Sequence, residues 1–319
     1  MIRMPRYLVT GCAGFIGSHL TEALLDRGAT VVGVDAFTDF YARDLKRENL
    51  AAVLDDPSFG LAEADLAAEP LDGLLDDVDG VFHLAAQPGV RGNWGETFSF
   101  YARDNVIATQ RLFEAAVKRE LRVAWASTSS VYGNAESYPT PEDTPPRPIS
   151  PYGVTKLSCE YLARAYTESF GLDQVALRYF TVYGPRQRPD MAFTRIARSL
   201  LDGTPFRVFG TGEQSRDAVY VGDAVAATIA AMEHGSTGSV YNVGGGSETT
   251  LNEVIAVFEK LSGRTLARRP ENVAAGDVRR TSADTTRART ELGWEPKTPI
   301  EDGLRKQLEW AGVEIRADA

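Results

Sequence analysis

Tyr152 and Lys156 lie four residues apart within a predicted helix, so their side chains share one face about one turn apart. An ammonium beside a phenol favours the tyrosinate and brings a weak acid into range as a base. Taken alone, such a pair better describes a core tyrosine beside a lysine that snorkels to solvent. Here a run of hydroxyls, Ser127, Thr128, Ser129 and Ser130, closes the predicted strand that precedes the helix. Open α/β sheets bind ligands at the carboxyl ends of their strands. Tyr152, Lys156 and Thr128 are therefore candidates for proton chemistry on a bound hydroxyl group.

A second group of residues suits phosphate. Gly11, Gly14 and Gly17 stand between the first predicted strand and the first predicted helix. Glycine there permits a tight turn, close approach of a pyrophosphate and close helix packing. The helix start adds N–H donors and positive potential. Asp35 ends the second predicted strand 18 residues past Gly17, the place for a carboxylate that accepts hydrogen bonds from an adenosine ribose. A phosphate on that ribose would meet the Asp35 charge, and Ala36, Phe37 and Thr38 supply no cation, so NAD is expected rather than NADP. Asp65, after the third strand, either approaches the adenine or is a solvated loop carboxylate. His83 sits in an apolar strand and reads as a satisfied core residue, while Cys12 lacks a histidine to activate it. The glycines at 244–246 read as a turn.

These groups require a scaffold that gathers strand ends. Apolar runs at 7–10, 30–35, 60–66, 80–86 and 122–128 alternate with helical stretches such as 98–119. That alternation predicts an α/β fold, a doubly wound parallel Rossmann sheet with right-handed crossovers and both faces covered. Residues 139–151 contain six prolines and read as an ordered loop leading to the helix that begins near Tyr152. Beyond Gly184 the pattern is less regular, with a helix at 191–201, a strand at 206–209 and a last helix at 301–310. The expected division is a dinucleotide-binding domain at 1–180 and a smaller, interleaved α/β substrate-binding lobe at 181–319. A strand and helix near 217–247 are expected to return to the first domain.

The chain of 319 residues carries a net charge of −10, which leaves no basic excess for a nucleic-acid backbone. Its two cysteines, Cys12 and Cys159, can form neither a disulfide framework nor a four-ligand metal site, so no metal is expected and a cytoplasmic setting fits. No stretch approaches the ~20 apolar residues that cross a bilayer, so no membrane partner is expected.

Several ordered motifs carry a resemblance that spans almost the whole chain. TGCAGFIGS at 10–18, HLAA at 83–86, STSSVYG at 127–133 and YGVTK at 152–156 resemble the extended short-chain dehydrogenase/reductases. RYFTVYG at 178–184, QSRD at 214–217, YVGD at 220–223 and LGW at 292–294 resemble the nucleotide-sugar 4-epimerases within them. The resemblance implies that Tyr152 removes the proton from a sugar 4-hydroxyl while hydride leaves C4 for NAD, and that hydride then returns to the opposite face of the 4-keto sugar. It assigns Thr128 to the C4 oxygen and Lys156 to the nicotinamide ribose and to tuning Tyr152. Around the cofactor it implies Phe15, Ile16, Asp65, Leu66, Leu84, Ala85, Ala86 and Tyr179 beside the glycines and Asp35. Around the substrate it implies Ser129, Ser130 and Thr181, with Arg216 at the diphosphate and Asp277 at the nucleotide ribose. The arginine some relatives carry three residues before that aspartate is Ala274 here, which leaves Arg279 or Arg280 to compensate.

Departures narrow the choice. The 4,6-dehydratases carry an Asp-Glu pair after the threonine, where this chain has Ser129 and Ser130, so water elimination lacks its acid and base. UDP-glucuronate decarboxylases usually carry glutamate at Ser130 and asparagine at Thr181. Residues 181–192, with GPRQRPDM at 184–191, are similar to UDP-glucuronate 4-epimerases, which places UDP-glucuronate ahead of UDP-glucose as the UDP-sugar substrate. Arg188 is the candidate fork for a C6 carboxylate, with Asp190 as its competing partner, and Arg186 is expected to face solvent or phosphate. Decarboxylation and an NAD-sensing scaffold without catalysis remain the other readings. The family usually forms homodimers through helices equivalent to 98–119 and 152–170.

Overall fold

In the computed structural model, which describes residues 4–90, 92–273 and 275–316, seven strands form one parallel sheet. The chain enters it through β1 (Arg6–Thr10), α1 (Phe15–Asp26), β2 (Thr30–Asp35), α2 (Arg43–Asn49), β3 (Phe59–Glu63) and β4 (Gly80–His83). A long helical stretch follows as α3 (Phe98–Tyr101), a π-helical turn (Ala102–Ile107) and α4 (Ala108–Val117). Then come β5 (Arg122–Thr128), α5 (Pro151–Phe170) and β6 (Gln174–Tyr179). β4 and β6 are buried along their whole length, as strands covered by helices on both faces must be.

The second part begins with β7 (Thr181–Tyr183), α6 (Ala192–Asp202), β8 (Phe206–Phe209), β9 (Ser215–Tyr220) and α7 (Val221–His234). β10 (Val240–Val243) then pairs in parallel with β6 at the edge of the large sheet, in the order β10-β6-β5-β4-β1-β2-β3. β11 (Glu248–Thr250), α8 (Leu251–Ser262), β12 (Arg268–Glu271), α9 (Thr286–Leu292) and α10 (Ile300–Trp310) complete the chain. β7, β9 and β11 make a small mixed sheet, and β8 pairs with β12. A separate core around Tyr183, Phe193, Ile196, Phe258 and Leu304 packs α6, α8 and α10 together.

Two features of this fold place the chemistry. The strand order reverses direction at β1, whose partners are β2 on one side and β4 on the other, and the crevice at such a switch point receives ligands. α5 starts at a fixed residue: the Ser150 hydroxyl accepts the Gly153 N–H at 3.1 Å and Pro151 occupies the first turn. Tyr152 is thereby held at the helix mouth.

The structure shortens two expected strands and interrupts one expected helix. The 80–86 segment leaves the ladder after His83 because β1 ends at Thr10, which receives both the Leu84 N–H and, through its hydroxyl, the Ala85 N–H. The 60–66 segment likewise ends at Glu63 and frees Asp65 and Leu66. The 98–119 stretch contains the π turn, where Asn105 fixes the loop after β4. Its Oδ1 accepts the Gln87 N–H at 2.7 Å, while its Nδ2 donates to the Gln87 carbonyl at 3.1 Å and to the Thr155 hydroxyl at 3.0 Å.

Candidate active site

A cleft of about 990 Å³ runs along the carboxyl ends of the large sheet and out under the second part of the chain. Apart from Arg186, Arg279 and Arg280, the residues singled out in the sequence for cofactor or substrate line it. At one end are Gly11, Gly14, Phe15, Ile16, Gly17, Asp35, Asp65, Leu66, Leu84, Ala85 and Ala86; at the other are Thr128, Ser129, Ser130, Tyr152, Lys156, Tyr179, Thr181, Arg188, Arg216 and Asp277.

The glycine end is dictated by the backbone. Gly11 adopts φ +70°, and its N–H donates to the Val34 carbonyl at 2.7 Å while its own carbonyl accepts the Gly14 N–H at 3.0 Å. A side chain on Gly17 would put its Cβ 2.0 Å from the Gly11 oxygen, so the helix can approach the loop this closely with glycine alone. Asn49 steadies the loop through its Nδ2, which donates to the Ala13 carbonyl at 3.0 Å. Asp35 accepts the Phe37 N–H at 2.8 Å and the Ala13 N–H at 3.2 Å, and burial pushes its carboxyl above the usual range against these bonds. This cradle, open and lined by backbone donors with a carboxylate at its far side, fits the pyrophosphate and adenosine ribose of a dinucleotide.

At the other end, burial pushes the Tyr152 phenol up, opposed by the Arg188 charge and by a hydrogen bond with Thr128. The Thr128 hydroxyl also accepts the Ser130 N–H at 3.2 Å, which caps the short turn after β5. Lys156 is buried, and burial pushes its ammonium down while Cys159 and Glu160 oppose the shift. Its Nζ donates to the Ala126 carbonyl at 2.9 Å. The Arg188 charge thus also favours ionisation of the phenol.

Several expectations are corrected by neighbours. The Arg188 fork is closed on Asp190, with Nε to Oδ1 at 3.0 Å and a terminal nitrogen to Oδ2 at 3.1 Å, beneath the ring of Phe40. Arg186 pairs with Glu22 on α1 at 2.7 Å, is only partly exposed and does not line the cleft. Asp65 is ion-paired with Arg103 of the π turn and accepts the Ala67 N–H at 2.8 Å, so it is not a free loop carboxylate. Arg280 pairs with Glu248 and stacks on Tyr138, and neither it nor Arg279 borders the cleft. Ala274 lies outside the described residues.

Other readings keep their plain form. His83 is buried between the Thr10 and Thr109 hydroxyls at 2.8 and 2.9 Å, and burial pushes its imidazole down to about 3. Burial pushes the Cys12 thiol up. The 244–246 turn wraps the Asp217 carboxylate, and Gly245 donates to it. Among the described residues no group of His, Cys, Asp and Glu is arranged to hold a metal, and no helix is long and apolar enough to cross a membrane.

The structure adds residues that spacing did not reveal. Lys46 is buried on α2, lines the cleft near Asp35 and donates to the Thr38 carbonyl at 2.7 Å. Arg195 and Arg207 line the same end as Arg216, whose terminal nitrogens hold the Ser215 and Val278 carbonyls at 2.8 and 2.7 Å. A strand-helix pattern cannot show that α2, α6 and β8 converge on one cleft. Asn105 left one trace, a polar residue that the structure buries in an otherwise helical run.

Residues 7–244 match the NAD-dependent epimerase/dehydratase family. An uncharacterised UDP-glucose epimerase of Bacillus subtilis is 42% identical over 306 residues, which are 95% of this chain and 96% of that protein. A UDP-glucuronate 4-epimerase of Thermodesulfobacterium geofontis is 36% identical over 98% of both chains. The crystal structure of UDP-glucuronic acid 4-epimerase from Bacillus cereus, solved with UDP-glucuronic acid and NAD, superposes with a TM-score of 0.94. It is 41% identical over 96% of this chain and 99% of that one.

Proposed function

This chain belongs to the NAD-dependent epimerase/dehydratase family, and from that premise we propose that it interconverts UDP-glucuronate and UDP-galacturonate. It is an NAD-dependent nucleotide-sugar epimerase. The observation that carries the reading is one cleft with the glycine cradle and Asp35 at one end and Tyr152, Thr128 and Lys156 at the other. NAD, when bound, supplies the acceptor and later the donor of the C4 hydride.

The protein's own groups do the rest. Tyr152 takes the proton of the sugar 4-hydroxyl, and Thr128 holds the same oxygen through its hydroxyl. Lys156, anchored on the Ala126 carbonyl, keeps a positive charge beneath the site and holds the nicotinamide ribose. On the way back Tyr152 returns the proton to the reformed alkoxide. Ser129 and Ser130 present hydroxyls and no carboxyl, so C5 and C6 meet neither the acid nor the base of a dehydration. With Arg188 turned to Asp190, the sugar carboxylate finds its partners among Ser129, Ser130 and Thr181, and Arg188 borders the same space. Arg216, joined by Arg195 and Arg207, serves the diphosphate, and Asp277 the nucleotide ribose. Residues 1–180 then act mainly on the cofactor and 181–319 mainly on the nucleotide sugar.

UDP-glucose is the second reading, favoured by the closed Arg188–Asp190 pair and by the name of the Bacillus subtilis relative. Product analysis across UDP-glucuronate, UDP-glucose and UDP-xylose decides: UDP-galacturonate as the main product supports the first reading, and UDP-galactose alone the second. Carbon dioxide release would mark a decarboxylase, and no turnover with any sugar a cofactor-sensing scaffold. We also propose a homodimer in the cytoplasm. The helices at 98–119 and 152–170 expose Phe98, Phe100, Ile107, Val154, Tyr161 and Phe170, an apolar set suited to a second copy. A single monomeric species in sedimentation at micromolar concentration would remove that part.

A further inference from the structure

Tyr152, Lys156 and Glu160 follow one another at intervals of four on α5, so they project from one stripe of the helix. They meet three consecutive residues at the end of β5. The Lys156 ammonium donates to the Ala126 carbonyl at 2.9 Å, the Ser127 hydroxyl donates to Glu160 Oε1 at 2.6 Å, and Tyr152 and Thr128 border the same cleft. Glu160 is gripped in turn from β6. Arg178 Nε donates to its Oε1 at 2.9 Å and a terminal nitrogen to its Oε2 at 2.7 Å, and the two side chains are 7% and 9% exposed. The other terminal nitrogen of Arg178 donates to the Tyr132 hydroxyl at 2.7 Å, which donates onward to Asn242 Oδ1 on β10 at 2.8 Å.

Neither Glu160 nor Arg178 lines the cleft. A buried ion pair also adds little net stability over an apolar pair of the same volume, so stability gives a weak reason to keep one here. We propose that the Arg178–Glu160 pair positions the reacting groups: by holding Ser127 it fixes residues Ala126 to Thr128 against α5, and so aligns Thr128 and Lys156 with Tyr152. The inference rests on the catalytic roles proposed above for those three residues. It makes Glu160 and Arg178 positioning residues that act through Ser127 and never touch the substrate.

The test uses the NAD-loaded enzyme with whichever of UDP-glucuronate and UDP-glucose it turns over faster. Removing one partner would strand a buried charge, so Glu160→Leu and Arg178→Met are combined, which also removes the acceptor of the Ser127 hydroxyl. The expected result is a kcat about 10- to 100-fold lower per bound NAD, the scale for small misalignment of reacting groups, with KM and NAD content kept. A lower melting temperature with kcat intact would overturn the proposal. Ser127→Ala, which leaves the ion pair in place, is expected to lower kcat in the wild type and to add nothing in the paired variant. Independent, multiplying effects would overturn it. If the paired variant does not fold, Ser127→Ala alone decides: lower kcat at unchanged KM supports the proposal, and unchanged kcat rejects it. Tyr152→Phe runs beside these, because its full activity would remove the catalytic reading itself, whereas an inactive Tyr152→Phe beside a fully active paired variant removes the positioning role alone.

Discussion

The phosphate cradle at the cofactor end of the cleft is built from one short loop and helix start, residues 11–17, with Asp35, 64–66 and 84–86 beside it, whereas the sugar end is gathered from 127–130, 152–156, 181–190, 195–216 and 276–278. In the first the backbone dictates the shape: Gly11 lies at φ +70°, and Gly17 has no room for a Cβ. In the second, side chains dictate it, and most of those already have partners, Arg188 in Asp190 and Arg216 in backbone carbonyls. A backbone site accepts one ligand chemistry and resists change. A side-chain site can be retuned one residue at a time, which is how one scaffold serves several sugars.

The largest effect that would sharpen this contrast lies at the sugar end. Tyr152→Phe keeps the ring and its packing against Tyr101, so NAD should still bind while turnover falls about 10²–10⁴-fold. Wild-type turnover in steady-state assays would make Tyr152 structural. At the cofactor end, NADP should bind on the order of 10²-fold more weakly than NAD, since its extra phosphate faces the Asp35 charge with Lys46 offsetting part of the repulsion. Equal affinities by calorimetry would remove Asp35 from the ribose. Gly17→Ala should weaken NAD about tenfold or more through the forced shift of the loop, yet leave turnover per bound NAD near wild type. If it altered sugar preference instead, the two ends would not be separable.

Arg188→Ala distinguishes two roles at the sugar end. Because its charge eases ionisation of Tyr152, turnover should drop up to about tenfold, the scale of ~1 kcal/mol for one partly screened charge, on UDP-glucuronate and UDP-glucose alike. A loss confined to UDP-glucuronate, with carbon dioxide appearing, would show that Arg188 leaves Asp190 to hold the carboxylate. The last effect concerns stability and not turnover, and belongs to His83. Its folded value near 3 lies below the 6.5 of the free imidazole, so the neutral ring adds nothing to instability above pH 6.5 and its share of stability is lost as the pH falls toward 3. That loss is at most about 1.4 kcal/mol per pH unit. His83 imidazole resonances, assigned against a His83→Gln variant, that titrate near pH 6.5 in the folded protein would contradict its burial.

The same contrast explains what could be read from the chain. Gly11, Gly14, Gly17 and Asp35 were legible because a strand, a turn and a helix start at fixed spacing force one local shape. Tyr152, Lys156 and Thr128 were legible as a helix face beside a strand end. The partners of Arg186 and Arg188 were not, because Glu22 lies 164 residues away and the Asp190 pairing competes with a substrate that sequence alone does not place. Lys46, Arg195 and Arg207 were missed for a related reason: each is an ordinary helix or strand cation until the fold turns it toward the cleft. The π turn at 102–107 leaves no periodicity signature, since a single wide turn shifts the helical register without breaking it.

The central claim is that one cleft oxidises and re-reduces C4 of a bound UDP-sugar without exchanging that hydrogen with water. UDP-glucuronate carrying deuterium at C4 tests it directly. The account predicts UDP-galacturonate that retains the deuterium at C4, with label and product appearing together in the NMR spectrum. Product formed with deuterium lost to solvent, or a label left wholly in unchanged substrate while UDP-glucose is not turned over either, would contradict it.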